Sequence, residues 1–251
     1  MLLAIDVGNT NTVLGLFQGE LLVSSWRIKT DARTTADEMA LTYRGLLADS
    51  EPVTGIALCS TVPAVLREMR LMLDTYFSDV PTVIVEPGTK TGVPVLTDNP
   101  KEVGADRIVN AVAAYEWAKS GVIVVDFGTA TTFDCVTPRG EYLGGVITPG
   151  VQISAEALFA RAARLSRVEI ALPPKVVGRN PVHSMQSGIV YGYAGLVDGL
   201  CSRLKKELTY PCRVVATGGL AKLIAPQTEA IELVDNDLTL TGLRILFERN
   251  T

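Results

Sequence analysis

Apolar residues fall into two kinds of run along this chain. Short, nearly continuous aliphatic runs cover 2–5, 13–17, 55–60, 82–86, 122–125 and 214–216, with a further one near 231–234. Runs of that length and continuity read as strands, most of them buried on both faces. Between them, apolar residues recur at helical spacing: Met39, Tyr43, Leu46 and Leu47; Leu66, Met69, Leu73 and Tyr76; Ile108, Val112 and Tyr115; Ile189, Tyr193, Leu196, Leu200 and Leu204. The spacing predicts helices after Thr35, from Pro63, over 104–120 and over 182–208. Others are predicted after Pro149-Gly150, with Leu158, Ala162 and Leu165 on one side, and over 238–249. Thr35-Ala36-Asp37-Glu38 is a capping box, and Pro63 suits a first helical position. The runs at 15–17 and 21–28 flank the Gln18-Gly19-Glu20 turn as a β-meander. Residues 88–103 and 172–180 are Pro/Gly-bearing loops. Strands alternating with helices make this an α/β chain.

The pattern then repeats. The first strand ends on Asp6, and Gly8, Asn9, Thr10, Asn11 and Thr12 form a polar turn before the apolar run resumes. The strand over 122–125 ends on Asp126, and Gly128, Thr129, Ala130, Thr131 and Thr132 follow at the same interval. The turn Pro138-Arg139-Gly140-Glu141 matches Gln18-Gly19-Glu20 with one extra residue. Duplication predicts two similar lobes with facing hairpins and a cleft between them, divided as 1–117 and 118–251.

Composition narrows the class. The chain has 251 residues, 47% of them hydrophobic and 20% charged, which is enough for a sizeable core. Net charge is −4, without a basic stripe, which argues against nucleic acid as partner. Cys59, Cys135, Cys201 and Cys212 form no CxxC, and the single His183 stands apart from them. They read as reduced, mostly buried thiols of a cytoplasmic protein rather than a zinc site. The N-terminal apolar run is too short for a signal peptide, and no run long enough to span a membrane occurs.

The strand ends carry the candidate chemistry. A carboxylate delivered into a Gly/Asn/Thr hairpin can hold a phosphate chain and its metal: backbone N–H groups and hydroxyls face phosphate, and the carboxylate faces Mg²⁺ directly or through water. Asp6 could instead cap its hairpin, but a carboxylate ending a buried strand is costly unless a cation or several donors meet it. Asp126 follows the same logic. Asp106, at the start of a predicted helix, could be an ordinary first-turn acid, or a general base with Arg107 beside it to bind an anionic tail. Thr217-Gly218-Gly219 is either a plain strand–helix turn or a place where a nucleoside lies flat on backbone. Gly188, Gly192, Gly195 and Gly199 line one side of the long helix, where glycine is costly; they mark an intrachain helix crossing or a subunit interface. His183 reads as a surface residue. There is no GxxxxGK[ST] and no kinase-type glycine loop.

Asp6-Val7-Gly8-Asn9-Thr10-Asn11-Thr12, Gly104-Ala105-Asp106-Arg107, Asp126-Phe127-Gly128-Thr129-Ala130-Thr131-Thr132, Gly144-Gly145 and Thr217-Gly218-Gly219, in that order, resemble the type III pantothenate kinase family. That family lies within the acetate and sugar kinase/Hsp70/actin superfamily. The resemblance runs from Met1 to Arg249. It implies two ribonuclease-H-like lobes around an ATP cleft, each a mixed sheet with flanking helices, and a homodimer. It implies ATP-dependent phosphorylation of pantothenate, the first step toward coenzyme A, with Mg²⁺ and a monovalent cation, K⁺ or NH₄⁺. It assigns Asp6 to Val13 to the ATP phosphates, with Asp6 reaching Mg²⁺ through water. Gly104 to Arg107 hold pantothenate, with Asp106 as proton acceptor. Asp126 ligates the monovalent cation, and Thr129 touches ATP. Two positions depart from the family pattern. Thr97-Asp98-Asn99-Pro100 stands where Tyr-Asp-Asn-Pro is usual, and Asn180-Pro181 where an Asn-Thr pair binds pantothenate; Pro has neither the hydroxyl nor the N–H. Rival readings are another small-molecule kinase of the superfamily and a non-catalytic ATP-binding relative. A panel of acceptors would single out the first, and ADP release unstimulated by pantothenate the second.

Overall fold

The computed structural model describes residues 1–162 and 165–251. The chain folds into two compact units, one of 1–94, 98–113 and 238–251, the other of 95–97 and 114–237.

The first unit is built on β1 (Leu2–Val7), β2 (Asn11–Gln18), β3 (Leu21–Lys29), β4 (Gly55–Ser60) and β5 (Thr82–Ile84), in the order β3-β2-β1-β4-β5. The meander β1-β2-β3 is antiparallel, and β4 and β5 are parallel to β1. Leu3, Ala4 and Ile5 of the central strand have no exposed surface, the burial of a strand covered on both faces. On one face pack α1 (Ala36–Leu46) and α2 (Pro63–Tyr76), whose Met39, Tyr43, Met69 and Leu73 join Leu3, Ile5 and Leu58 in one apolar cluster. Each large side chain so buried contributes about 1.5–3 kcal/mol. The capping box at Thr35 and Glu38 is present, with both reciprocal bonds.

The other face is covered by the chain's last helix, α7 (Leu238–Asn250), once its predecessors are placed: α3 (Ala105–Ala118), α4 (Val151–Arg161), α5 (Pro181–Leu208) and α6 (Ala221–Ile224). Phe247 of α7 lies against Gly55, Leu240 against Gly15, and the Gly242 backbone against Val109 of α3. A division at residue 117 separates α7 from this sheet; its apolar face nevertheless packs on β1 and β4.

The second unit repeats the plan. Here β6 (Gly121–Phe127), β7 (Ala130–Val136), β8 (Tyr142–Pro149), β9 (Cys212–Thr217) and β10 (Leu233–Val234) run in the order β10-β9-β6-β7-β8. The antiparallel meander is β6-β7-β8, and β9 and β10 are parallel to β6. Ile123, Val125, Phe133, Val214 and Ala216 pack against Val190, Tyr193 and Val197 of α5 and Val151 and Ala155 of α4. All four cysteines are free and buried.

Several boundaries differ from the sequence pattern. The first hairpin turn is only 8–10, because Asn11 and Thr12 already pair with Lys29 and Ile28. The outermost strands are shorter than expected, β5 ending at Ile84 and β10 keeping two residues. Helix α4 ends at Arg161, so Leu165 is not on its face. No helix of the described residues is long and apolar enough to cross a membrane.

Candidate active site

In the first unit the β1–β2 hairpin leaves Asn9 and Thr10 exposed at its tip. The Gly8 N–H donates to the Asn11 carbonyl at 3.1 Å, closing the turn. The Thr30 N–H donates to the Thr10 carbonyl at 3.0 Å, and the Thr12 and Thr30 hydroxyls share a hydrogen bond at 3.0 Å. The end of β3 thus braces the hairpin. Thr12 is buried with its hydroxyl on Thr30, and Val7 belongs to the apolar cluster. Accessible polar groups at the tip come from Gly8 to Asn11.

β1 runs one residue past the expected end, so Asp6 is its penultimate residue, opposite Cys59 of β4. The Cys59 thiol donates to Asp6 Oδ1 at 3.4 Å. Burial, and then the charge of Asp106, push the Asp6 carboxyl up to about 6, against the Cys59 bond and the Arg27 charge. Asp106 therefore lies close enough in the same unit to oppose ionisation of Asp6. It stands in the first turn of α3, where its Oδ1 accepts the Arg107 N–H at 2.8 Å. Burial raises its pKa, and the Arg107 N–H and guanidinium pull it back. A Cβ on Gly104 would stand 2.5 Å from Asp106 Oδ1, so the residue before the helix must be glycine for the carboxylate to fold back there. Arg107 is half-buried beside it.

In the second unit Asp126 is likewise the penultimate residue of its strand, β6, and half-buried, and Thr129 is exposed in the following turn. The Thr217-Gly218-Gly219 turn closes over Asp126. Gly218 has φ +94°, and a Cβ there would stand 2.6 Å from Asp126 Oδ1. Both the left-handed backbone and the close approach demand glycine. The turn leads into the short helix α6, and Gly219 faces open space. Pro181 is the exposed first residue of α5. Asn180 caps that helix, its Oδ1 accepting the His183 N–H at 2.8 Å. His183 is half-buried and tied to that cap.

The structure brings Asp6 and Asp106 together in the first unit, and Asp126 with the 217–219 turn in the second. Two buried polar residues escaped the sequence pattern. Cys59 reads as one more core thiol, because its pairing with Asp6 is non-local. Asp134 sits with no exposure inside β7, accepting from Tyr142 Oη at 2.7 Å and Thr132 Oγ1 at 3.1 Å; a charged residue within the apolar run Phe133–Val136 was the available signal.

Two units that repeat one mixed-sheet topology, each with a carboxylate one residue from the end of its central strand, define the sugar kinase and actin-like class of fold. An inorganic polyphosphate/ATP-glucomannokinase from Arthrobacter sp. strain KM superposes with TM-score 0.54 at 15% identity, over 100% of this chain and 99% of that one. A ROK hexokinase from Thermus thermophilus gives 0.53 at 15% identity, over 99% and 98%. At that identity the likeness is one of fold. The sequence profile of type III pantothenate kinase matches residues 2–203. A type III pantothenate kinase from Myxococcus xanthus is 57% identical, over 100% of this chain and 99% of that protein. The chain belongs to the type III pantothenate kinase family.

Proposed function

We propose that this protein transfers the γ-phosphoryl group of ATP to the primary hydroxyl of pantothenate, giving 4'-phosphopantothenate, the first step toward coenzyme A. The observation that carries the residue assignments is the nearness of Asp6, one residue from the end of β1, to Asp106 in the first turn of α3. One carboxylate follows a hairpin suited to phosphate; the other stands at a helix start with a cation beside it.

Asp106 accepts the proton of the attacking hydroxyl as the O–P bond forms. Its burial brings its proton affinity toward that of a working base, and the Arg107 charge keeps it ionised. Gly104 and Ala105 shape the approach, and Arg107 binds the pantothenate carboxylate. Backbone N–H groups from Asn9 to Asn11, with the Asn9 and Thr10 side chains, receive the ATP phosphates beside Gly8, whose own N–H closes the turn, and Thr129 contacts the nucleotide from its own hairpin. Pro181 offers pantothenate a fixed ring in place of a hydroxyl.

The donor set suits hard cations. Asp6 and Asp126 present carboxylate oxygens, and the raised pKa of Asp6 marks a carboxylate whose charge the protein alone does not balance. Asp6 would hold Mg²⁺ through water, and Asp126 K⁺ or NH₄⁺. Bound there, the cations would neutralise charge on the phosphoryl oxygens.

The protein acts as a cytoplasmic homodimer. Gly188, Gly192 and Gly195 of α5 are exposed, and beyond their own helix no described atom lies within 4 Å of where their Cβ atoms would be, which favours a subunit interface over an intrachain helix crossing. The open face suits a close approach by a second copy.

Asp106→Asn tests the assignment of the base. It should bind ATP normally in calorimetry and lose about 10²–10⁴-fold in kcat. Near-wild-type turnover would remove Asp106 from that role.

A further inference from the structure

Cys59 borders the proposed phosphate site without a part in its chemistry. It lies in β4 directly beside Asp6 in the parallel β1–β4 register, with no exposed surface. Cys135, Cys201 and Cys212 belong to the apolar core of the second unit, where a thiol behaves as a small hydrophobe. Cys59 instead places Sγ 3.4 Å from a carboxylate oxygen. A thiol in that place, with no exposed surface, is a neutral donor.

We propose that Cys59 is a positioning residue for Asp6, its thiol restraining Oδ1 so that the carboxylate keeps its second oxygen available for the cation. The inference rests on the reading of Asp6 given above. A carboxylate turns easily about its terminal torsion unless a neighbour holds one of its oxygens. A restraint is therefore needed, and its chemistry is constrained. An ammonium or guanidinium at this position would compete with the cation for the carboxylate. A neutral donor orients the oxygen and leaves the negative charge available. Partners of this kind, one step behind a metal-binding group, commonly set its affinity.

Cys59→Ser keeps a neutral donor, and Cys59→Ala removes it with little further change in size. Calorimetric titration of Mg²⁺ into protein saturated with a non-hydrolysable ATP analogue should show the Ala variant weakened about tenfold and the Ser variant near wild type. No weakening in Ala, or equal weakening in Ser and Ala, overturns the proposal. A second readout uses the wild-type protein. The infrared S–H band of Cys59, assigned by its loss in the Ser variant, should shift when Mg²⁺ and the ATP analogue bind; an unmoved band overturns the proposal even if the Ala variant fails to fold. A wild-type protein that binds Mg²⁺ with the analogue yet never turns over pantothenate counts against the proposed reaction and leaves the Cys59 result standing. One that binds neither removes the reading of Asp6 and this inference with it.

Discussion

At the scale of single residues, the unusual expense is the pair Asp6 and Asp106. Burial and the Asp106 charge oppose the ionisation of Asp6, and the folded protein alone answers there with the Cys59 thiol and the Arg27 charge, and at Asp106 with Arg107. The Asp6 pKa rises from 3.8 to about 6, so between those values the folded state binds more protons than the unfolded chain. This contribution to stability is full below the unfolded pKa and is lost as pH rises through about 6. Without cation and nucleotide, Asp6 should cost roughly 3 kcal/mol above that point, a two-unit shift at about 1.36 kcal/mol each. Thermal unfolding of wild type and Asp6→Asn, followed from pH 4 to 7, checks it. The variant should gain on wild type as pH rises; a constant difference would mean that Asp6 ionises freely. Asp6 and Asp126 were legible in the sequence because each ends an apolar run with a charge. Cys59 was not, because the neighbour that gives it meaning is set by parallel register between strands far apart in sequence.

At the scale of elements, periodicity located the helices well where one face is apolar and the start is chemically marked. Thr35 with Glu38, and Pro63, open α1 and α2 as the sequence indicates. The short edge strands were harder to bound, since an edge strand has one neighbour and its end depends on where that neighbour stops. The glycine row on α5 was visible, but sequence could not say which side is covered. The structure leaves Gly188, Gly192 and Gly195 open while Ile189, Tyr193 and Val197 face the core. A leucine at Gly192 or Gly195 should therefore fold normally by circular dichroism and shift the solution mass from dimer toward monomer in ultracentrifugation. A folded variant that stays dimeric would locate the subunit contact elsewhere.

At the scale of the whole chain, one topology is used twice. Strand, hairpin and meander are followed by parallel strands, and each copy carries an aspartate one residue before the end of its central strand. The repeat was legible because the two strand–Asp-x-Gly segments occupy matching places in the two halves. The return of α7 to the first sheet was not, since an amphipathic helix does not name the sheet it will cover. The duplicated fold and its strand-end carboxylates argue for phosphoryl transfer from ATP, while the acceptor rests on Gly104 to Arg107 and on the family. The most direct test is ADP release by the purified protein with ATP and Mg²⁺, with and without pantothenate, first in K⁺ and then in Na⁺ alone. Release should depend on pantothenate in K⁺ and fall toward the basal rate in Na⁺. ADP release in K⁺ that pantothenate does not stimulate would contradict it.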